Sequence, residues 1–333
     1  MPTRREFVLT VGAVAAGIMW SRPAHARFVP RVPRQFADVP LKATLLRENV
    51  WSITEGGGNS LVVLTKDGAI LTDTKLADRG EELLAKTTEL VKAAPRTIIN
   101  THHHFDHTGG NFAFNANAST TIVGQKNLAP RLAAHLEEMV KPNLTGKATQ
   151  LKAEGKPTDA EKVIALMDRL TVEAIKPDQD YDQEMSIERG GIKAILHHFG
   201  SGHTDNDTVI HFADLNIVVM GDLAFNGMHP FIDRPAGATT VGWRKSLAEA
   251  IKLCDDKTLV IPGHGENGDK SILTNQVKYF ETLQSIVEKA MKEGKSKTTI
   301  GEMKPEAFAK HGFEMLQAGA LMAMYEELSE GTN

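Results

Sequence analysis

The chain has 333 residues, 41% of them apolar, with only 28 glycines and 14 prolines, a composition that supports a packed core and excludes a wholly disordered or collagen-like chain. Its formal net charge of −4 comes without basic blocks, so it carries no electrostatic footprint for a nucleic-acid partner. The single cysteine, Cys254, excludes an intramolecular disulfide and any Cys-rich zinc site.

Residues 1–26 read as an export signal. Thr3-Arg4-Arg5-Glu6-Phe7-Val8-Leu9 resembles the twin-arginine signal, a modestly apolar stretch follows over 11–20, and Ala24-His25-Ala26 has the small-x-small form of a cleavage site. The apolar run is shorter than the roughly 20 residues a membrane span needs. The expectation is a leader read by the twin-arginine export machinery, a mature chain from Arg27 delivered to the periplasm, and no stable membrane anchor after cleavage. That route carries folded proteins.

From 27 to 40 the repeated prolines predict an extended arm. Short β-rich runs over 43–46, 50–53, 60–65 and 69–72, separated by Gly56-Gly57-Gly58 and Asp67-Gly68, predict a meander. Over 78–94, Leu83, Leu84, Thr87, Leu90 and Val91 fall on one helical face and Pro95 ends the run. A strand over 97–100 then empties into Thr101-His102-His103-His104-Phe105-Asp106-His107-Thr108-Gly109-Gly110. Neutral imidazole and carboxylate are preferred ligands of zinc and similar ions. In extended backbone, residues i and i+2 face the same way, so His102 and His104 can share one ion while Asp106 and His107 turn toward a second.

Residues 121–123 predict a further strand, and 126–177 a polar helical region. Two amphipathic pieces, 128–140 and 159–170, are joined there by a Gly- and Lys-containing linker, as an insertion over the site or a plain helical cover. A second β-rich half begins near Met185, with strands over 192–196, 208–212, 217–220 and 258–261 and a helix over 243–254. Helices over 271–293 and 313–328 close a single domain spanning 27–333. Strands with helices, twice over, predict an α/β protein with two sheets face to face and helices outside.

Three later stretches each bring a candidate donor to the end of a strand: Gly200-Ser201-Gly202-His203, Met220-Gly221-Asp222 and Pro262-Gly263-His264-Gly265. With His-x-His-x-Asp-His at 102–107, their order resembles the metallo-β-lactamase superfamily. The resemblance implies the four-layer αβ/βα sandwich. It implies that His102, His104 and His203 hold one Zn2+, that Asp106, His107 and His264 hold another, and that Asp222 reaches both, with iron or manganese as alternative metals. A carboxylate at 222 makes this set look most like the glyoxalase-II type. The implied chemistry is attack by a metal-bridging hydroxide on an acyl bond of a small-molecule substrate, a β-lactam, thioester or lactone, with Asp106 a candidate for proton transfer. An iron-dependent, persulfide-dioxygenase-like oxidoreductase and a non-catalytic metal-binding protein are the rival readings.

Asp73 resembles a family carboxylate that braces the ligand loop, with a turn aspartate as its alternative; Asp207 would anchor the His203 loop or cap a turn. His229, in Phe225-Asn226-Gly227-Met228-His229-Pro230, is a candidate substrate contact or a surface-loop histidine. His103 alternates away from the ligands and is expected to support them or face solvent. His197 and His198 are expected in strand or packing roles, and Cys254 in the core.

Overall fold

The computed structural model describes residues 39–115 and 119–331; the expected export signal and all but the end of the arm lie outside them. Strands β1 (Lys42–Arg47), β2 (Val50–Thr54), β3 (Ser60–Thr65) and β4 (Gly68–Thr72) form the expected antiparallel meander. To its edge β5 (Thr97–Ile99), β6 (Thr121–Gln125) and β7 (Gln179–Tyr181) add in parallel. Parallel neighbours require crossovers. These are α1 (Gly80–Val91), then the short α2 (Phe105–Thr108) and α3 (Asn111–Asn115), then α4 (Leu128–His135), α5 (Lys141–Ala153), α6 (Pro157–Arg169) and α7 (Val172–Ile175).

The second sheet holds β8 (Glu184–Arg189), β9 (Ile192–His197), β10 (Val209–Phe212), β11 (Ile217–Phe225) and β12 (Leu259–His264), with only the last pair parallel. Helix α8 (Thr240–Lys252) makes that crossover, and α9 (Ser271–Lys292), α10 (Lys297–Gly301) and α11 (Glu314–Glu330) follow. Among the described residues no helix is long and apolar enough to cross a membrane.

Side chains alternate between the faces of a strand, and that alternation builds the layers. Leu61, Val63, Ile70, Ile99 and Val123 of the first sheet share one buried cluster with Leu196, Ile210, Phe212, Val219 and Ile261 of the second. Their neighbours Val62, Leu71, Ile98 and Ile122 turn outward onto Leu83, Phe112, Leu128 and Leu132. On the far side Val218 and Val260 pack with Trp243, Leu247, Phe280 and Leu321. The result is helices, sheet, sheet, helices: the expected four-layer sandwich.

Two local expectations are corrected. The linker between the amphipathic pieces is α5, continuous with α4 through a π-helical turn at Leu136–Val140. Pro142 lies in the first turn of α5, directly after that π-helical turn. Strand β11 also runs on to Phe225, so Asp222 lies within an extended segment and not at its last residue.

Phe212 is fully buried between the sheets, whereas Leu45 of β1 is 61% exposed. Urea unfolding at constant metal content should show Phe212→Ala costing about 3–5 kcal/mol and Leu45→Ala less than about 0.5 kcal/mol.

Candidate metal centre

The first group of donors is positioned by the end of β4. Asp73 adopts a left-handed conformation, φ 54°, and its buried carboxylate accepts from Thr101 N at 2.8 Å and Thr101 Oγ1 at 2.7 Å. The same carboxylate meets His107 Nδ1 at 2.7 Å. One aspartate therefore ties down both ends of the His-rich loop. The opposite wall is Gly58, where a Cβ would stand 2.0 Å from His107 Cε1; only glycine leaves room for that ring.

The second sheet supplies the remaining donors. In the loop after β9, Thr204 N and Oγ1 donate to Asp207 at 2.6–3.0 Å, closing the turn that presents His203. Burial pushes the Asp207 carboxyl up to about 7 against those bonds. At Gly221, φ is 50° and the register of β11 against β12 shifts, which brings Asp222 beside Gly263. A Cβ on Gly263 would lie 2.0 Å from Asp222 Oδ1.

The donors converge. Ligand-type atoms of His102, His104, His203 and Asp222 lie within 4.8 Å of one another, as do those of Asp106, His107 and His264. Asp222 stands between the two groups: its Oδ2 is 3.9 Å from His102 Nε2 and 3.5 Å from His203 Nε2 and His264 Nε2, and its Oδ1 is 3.0 Å from His107 Nε2. His264 Nε2 is also 3.2 Å from Asp106 Oδ2.

Hydrogen bonding on the outer side of each ring decides what faces inward. Thr101 Oγ1 gives its proton to Asp73, so it accepts from His102 Nδ1 at 3.1 Å. His203 Nδ1 donates to the Phe231 carbonyl at 2.8 Å, His107 Nδ1 to Asp73, and His104 Nε2 to Asp233 at 2.9 Å. In the neutral form each of these four imidazoles presents a bare nitrogen to the centre. His203 Nε2 and His104 Nδ1 then face each other at 2.9 Å, while His102 Nε2, His107 Nε2 and Asp222 Oδ1 are buried without a hydrogen-bond partner. Converging buried lone pairs with a carboxylate fit divalent cations of the zinc type.

The electrostatics divide the rings: burial opposes charge on His104 and His107, yet the carboxylates beside them raise both above the ordinary histidine range. Burial holds His102 well below the ordinary histidine range and His203 down to about 3, helped by neighbouring imidazoles. Burial opposes charge on His264, yet Asp222 and Asp106 push it up to about 9. Burial likewise opposes ionisation of Asp222, but His264 and His107 hold its carboxyl well below the usual range.

A model of the metallo-beta-lactamase superfamily matches residues 53–264. The chain belongs to that superfamily. Among relatives, the metallo-beta-lactamase type 2 of Bacillus cereus is 26% identical over 239 residues, covering 68% of this chain and 78% of the relative. That of Bacteroides fragilis is 21% identical over 229 residues, with 67% and 77% covered. Among solved structures, a metallo-beta-lactamase from Pontibacter korlensis superposes with a TM-score of 0.55 at 21% identity, covering 72% of this chain and 97% of the other. FIM-1 from Pseudomonas aeruginosa, in its mono-zinc form, gives 0.54 at 17% identity, with 74% and 97% covered. These likenesses to solved structures carry the fold. The superfamily membership and the donor set make the chain a metal-dependent hydrolase.

Other candidate residues stand as follows. His103 is buried rather than solvated, and its Nδ1 accepts from Asn206 Nδ2 at 3.0 Å. His197 pairs with Glu184 at 3.2 Å, and His198 Nδ1 donates to the Asp207 carbonyl at 2.8 Å. His229 departs from both expectations for it: it is 1% exposed, and its Nδ1 bonds the Tyr279 hydroxyl at 2.7 Å beside Phe308 and His311. Helix α9 and the loop before α11 cover it, so it packs the interior and does not line the mouth. Cys254 is buried and its Sγ donates to the Ala250 carbonyl.

Three participants went unread in the sequence. Asp233 braces His104 across 129 residues, a separation that leaves no local signal. His135, at the end of α4, brings its ring within 5.8 Å of both His103 and His104. Lys75 is fully buried and donates to the carbonyls of Ile53 at 2.6 Å and Gly58 at 2.5 Å; burial pushes its ammonium down to about 7.

Gly58→Ala should displace His107 and weaken metal binding by about 10-fold or more in a competition titration with a chelator. Gly146→Ala, where a Cβ meets nothing within 4 Å, should leave metal affinity unchanged and stabilise α5 by about 0.5–1 kcal/mol.

Proposed function

We propose that the chain is an exported hydrolase that holds two zinc ions and cleaves an acyl bond of the β-lactam, thioester or lactone class. The observation that carries this reading is the position of the Asp222 carboxylate between two separate groups of donors. In this assignment His102, His104 and His203 hold the first ion, Asp106, His107 and His264 the second, and Asp222 both. Bound divalent ions supply a hydroxide nucleophile near neutral pH and an electrophile for the acyl oxygen, which leaves no role for a Ser or Cys nucleophile.

The chain's own side chains do the rest. Asp73, Thr101, Asp233 and the Phe231 carbonyl fix four imidazole tautomers and the orientation of those rings. The rings of Phe231 and Trp243 lie 5.5 Å from His104 and 5.2 Å from His203 and keep water from that flank. Asp106 is the most exposed of the seven donor side chains, at 26%. That exposure supports Asp106 as the group that accepts a proton and passes it on.

The relatives bear the name metallo-beta-lactamase, which supports β-lactams as one candidate substrate class. The carboxylate at 222, with its glyoxalase-II-like character, keeps thioesters and lactones beside them. The Arg4-Arg5 signal supports delivery to the periplasm, with the mature chain forming one domain from Arg27.

Metal analysis of the purified mature protein, run with a β-lactam, thioester and lactone panel, tests the assignment. Zinc near two per chain and turnover of at least one substrate are expected; a single iron with oxygen uptake on a persulfide would overturn it. Asp222→Ala should lose one ion and most turnover, and Cys254→Ser should be nearly silent.

Replacing Arg4 and Arg5 together by Lys should hold the precursor in the cytoplasm, because Lys keeps the charge but not the planar guanidinium. Fractionation and immunoblotting would show it, and normal periplasmic delivery would contradict the export reading.

A further inference from the structure

The five histidines of the centre are not held alike. His102, His104, His107 and His203 each have the ring nitrogen that faces away from the centre bonded to a hydroxyl, carboxylate or carbonyl. His264 contacts Asp106 and Asp222 only through Nε2, and among the described residues its Nδ1 has no hydrogen-bond partner. Two phenylalanine rings flank it instead. Phe225 stacks on it at 5.3 Å with 19° between planes, and Phe313 meets it edge to face at 5.3 Å and 68°.

Phe313 belongs to the segment beyond residues 53–264, the part that carries the superfamily match. Its backbone is left-handed, φ 56° and ψ 43°, a costly conformation for a bulky side chain that persists only where the surroundings enforce it. They do so from both sides. Gly312 N donates to the Gly227 carbonyl and the Gly312 carbonyl accepts from His229 N, each at 2.9 Å. Directly after Phe313, α11 begins, and its Leu316, Ala320, Leu321 and Met324 are buried. The residue is fixed between a pinned backbone and an anchored helix, against the one imidazole that lacks a polar brace.

We infer that Phe313 is a positioning residue for His264, which makes the C-terminal segment a working part of the metal centre. Orienting a ligand ring is ordinarily done by a hydrogen bond; here aromatic packing does it, through edge-to-face contact that favours one ring orientation. The inference rests on the proposed role of His264 as a ligand.

The test is zinc titration of the metal-free full-length mature protein against a chromophoric chelator, resolving the two affinities, with thermal unfolding alongside. Phe313→Ala should weaken one of the two affinities about tenfold and leave the other, and Phe313→Tyr, which keeps the ring, should restore it. Leu321→Ala, in the buried face of the same helix, should lower the melting temperature with both affinities unchanged. Unchanged affinities in a folded Phe313→Ala protein would overturn the inference. So would equal weakening in Leu321→Ala, since that would mean general loosening. If Phe313→Ala fails to fold, Phe313→Leu against Phe313→Tyr decides: weakening in Leu alone supports the inference, and equal affinities overturn it. His264→Ala separates the two claims, because retention of both ions there would remove the ligand assignment itself.

Discussion

Everything in this structure turns on one buried carboxylate. Asp222 is 4% exposed and within 4 Å of four imidazole nitrogens, yet its Oδ1 has no hydrogen-bond partner. A buried anion costs several kcal/mol unless charge or hydrogen bonds compensate it. Burial opposes charge on Asp222, and His264 and His107 are the groups that hold it ionised, while the outer nitrogens of His102, His107 and His203 are bonded, an arrangement that suits a cation at the centre. The glycines at 58, 221 and 263 follow from the same requirement, since each lies where a side chain would displace Asp222, Thr101 or His107.

The sandwich delivers these groups from both halves. β4 and β5 end at Asp73 and the His-rich loop, and β11 and β12 bring Asp222 and His264 into register through Phe225 opposite His264. The central strands alternate between two apolar layers, and the polar cluster gathers at and just beyond one end of them. The sheets fix where the donor-bearing segments start, the loop 200–208 carries His203, and the loop 226–233 contributes the braces Phe231 and Asp233.

Much of this was legible because its signals are local. His-x-His-x-Asp-His after an apolar strand, and His or Asp at the ends of later strands, name the groups that the structure gathers. The order of strands and helices, repeated in each half, foretold the layers. What the sequence concealed depends on distant approach. Asp233 meets His104 only because the chain after β11 folds back across the first sheet's loop, and Phe313 reaches His264 only through the packing of α11. His229 was misread because a Gly- and Pro-containing loop resembles surface until α9 and the 307–311 turn cover it. The segment after Val140 reads as a linker from its glycine and lysine content, yet the helix runs on through it to Ala153.

The most direct measurement is anomalous diffraction at the zinc edge from crystals of the zinc-loaded mature protein. The account predicts two peaks about 3.5–4 Å apart, one among His102, His104 and His203 and one among Asp106, His107 and His264, with Asp222 touching both. A lone peak outside these groups, or two peaks with Asp222 turned away from either, would contradict it.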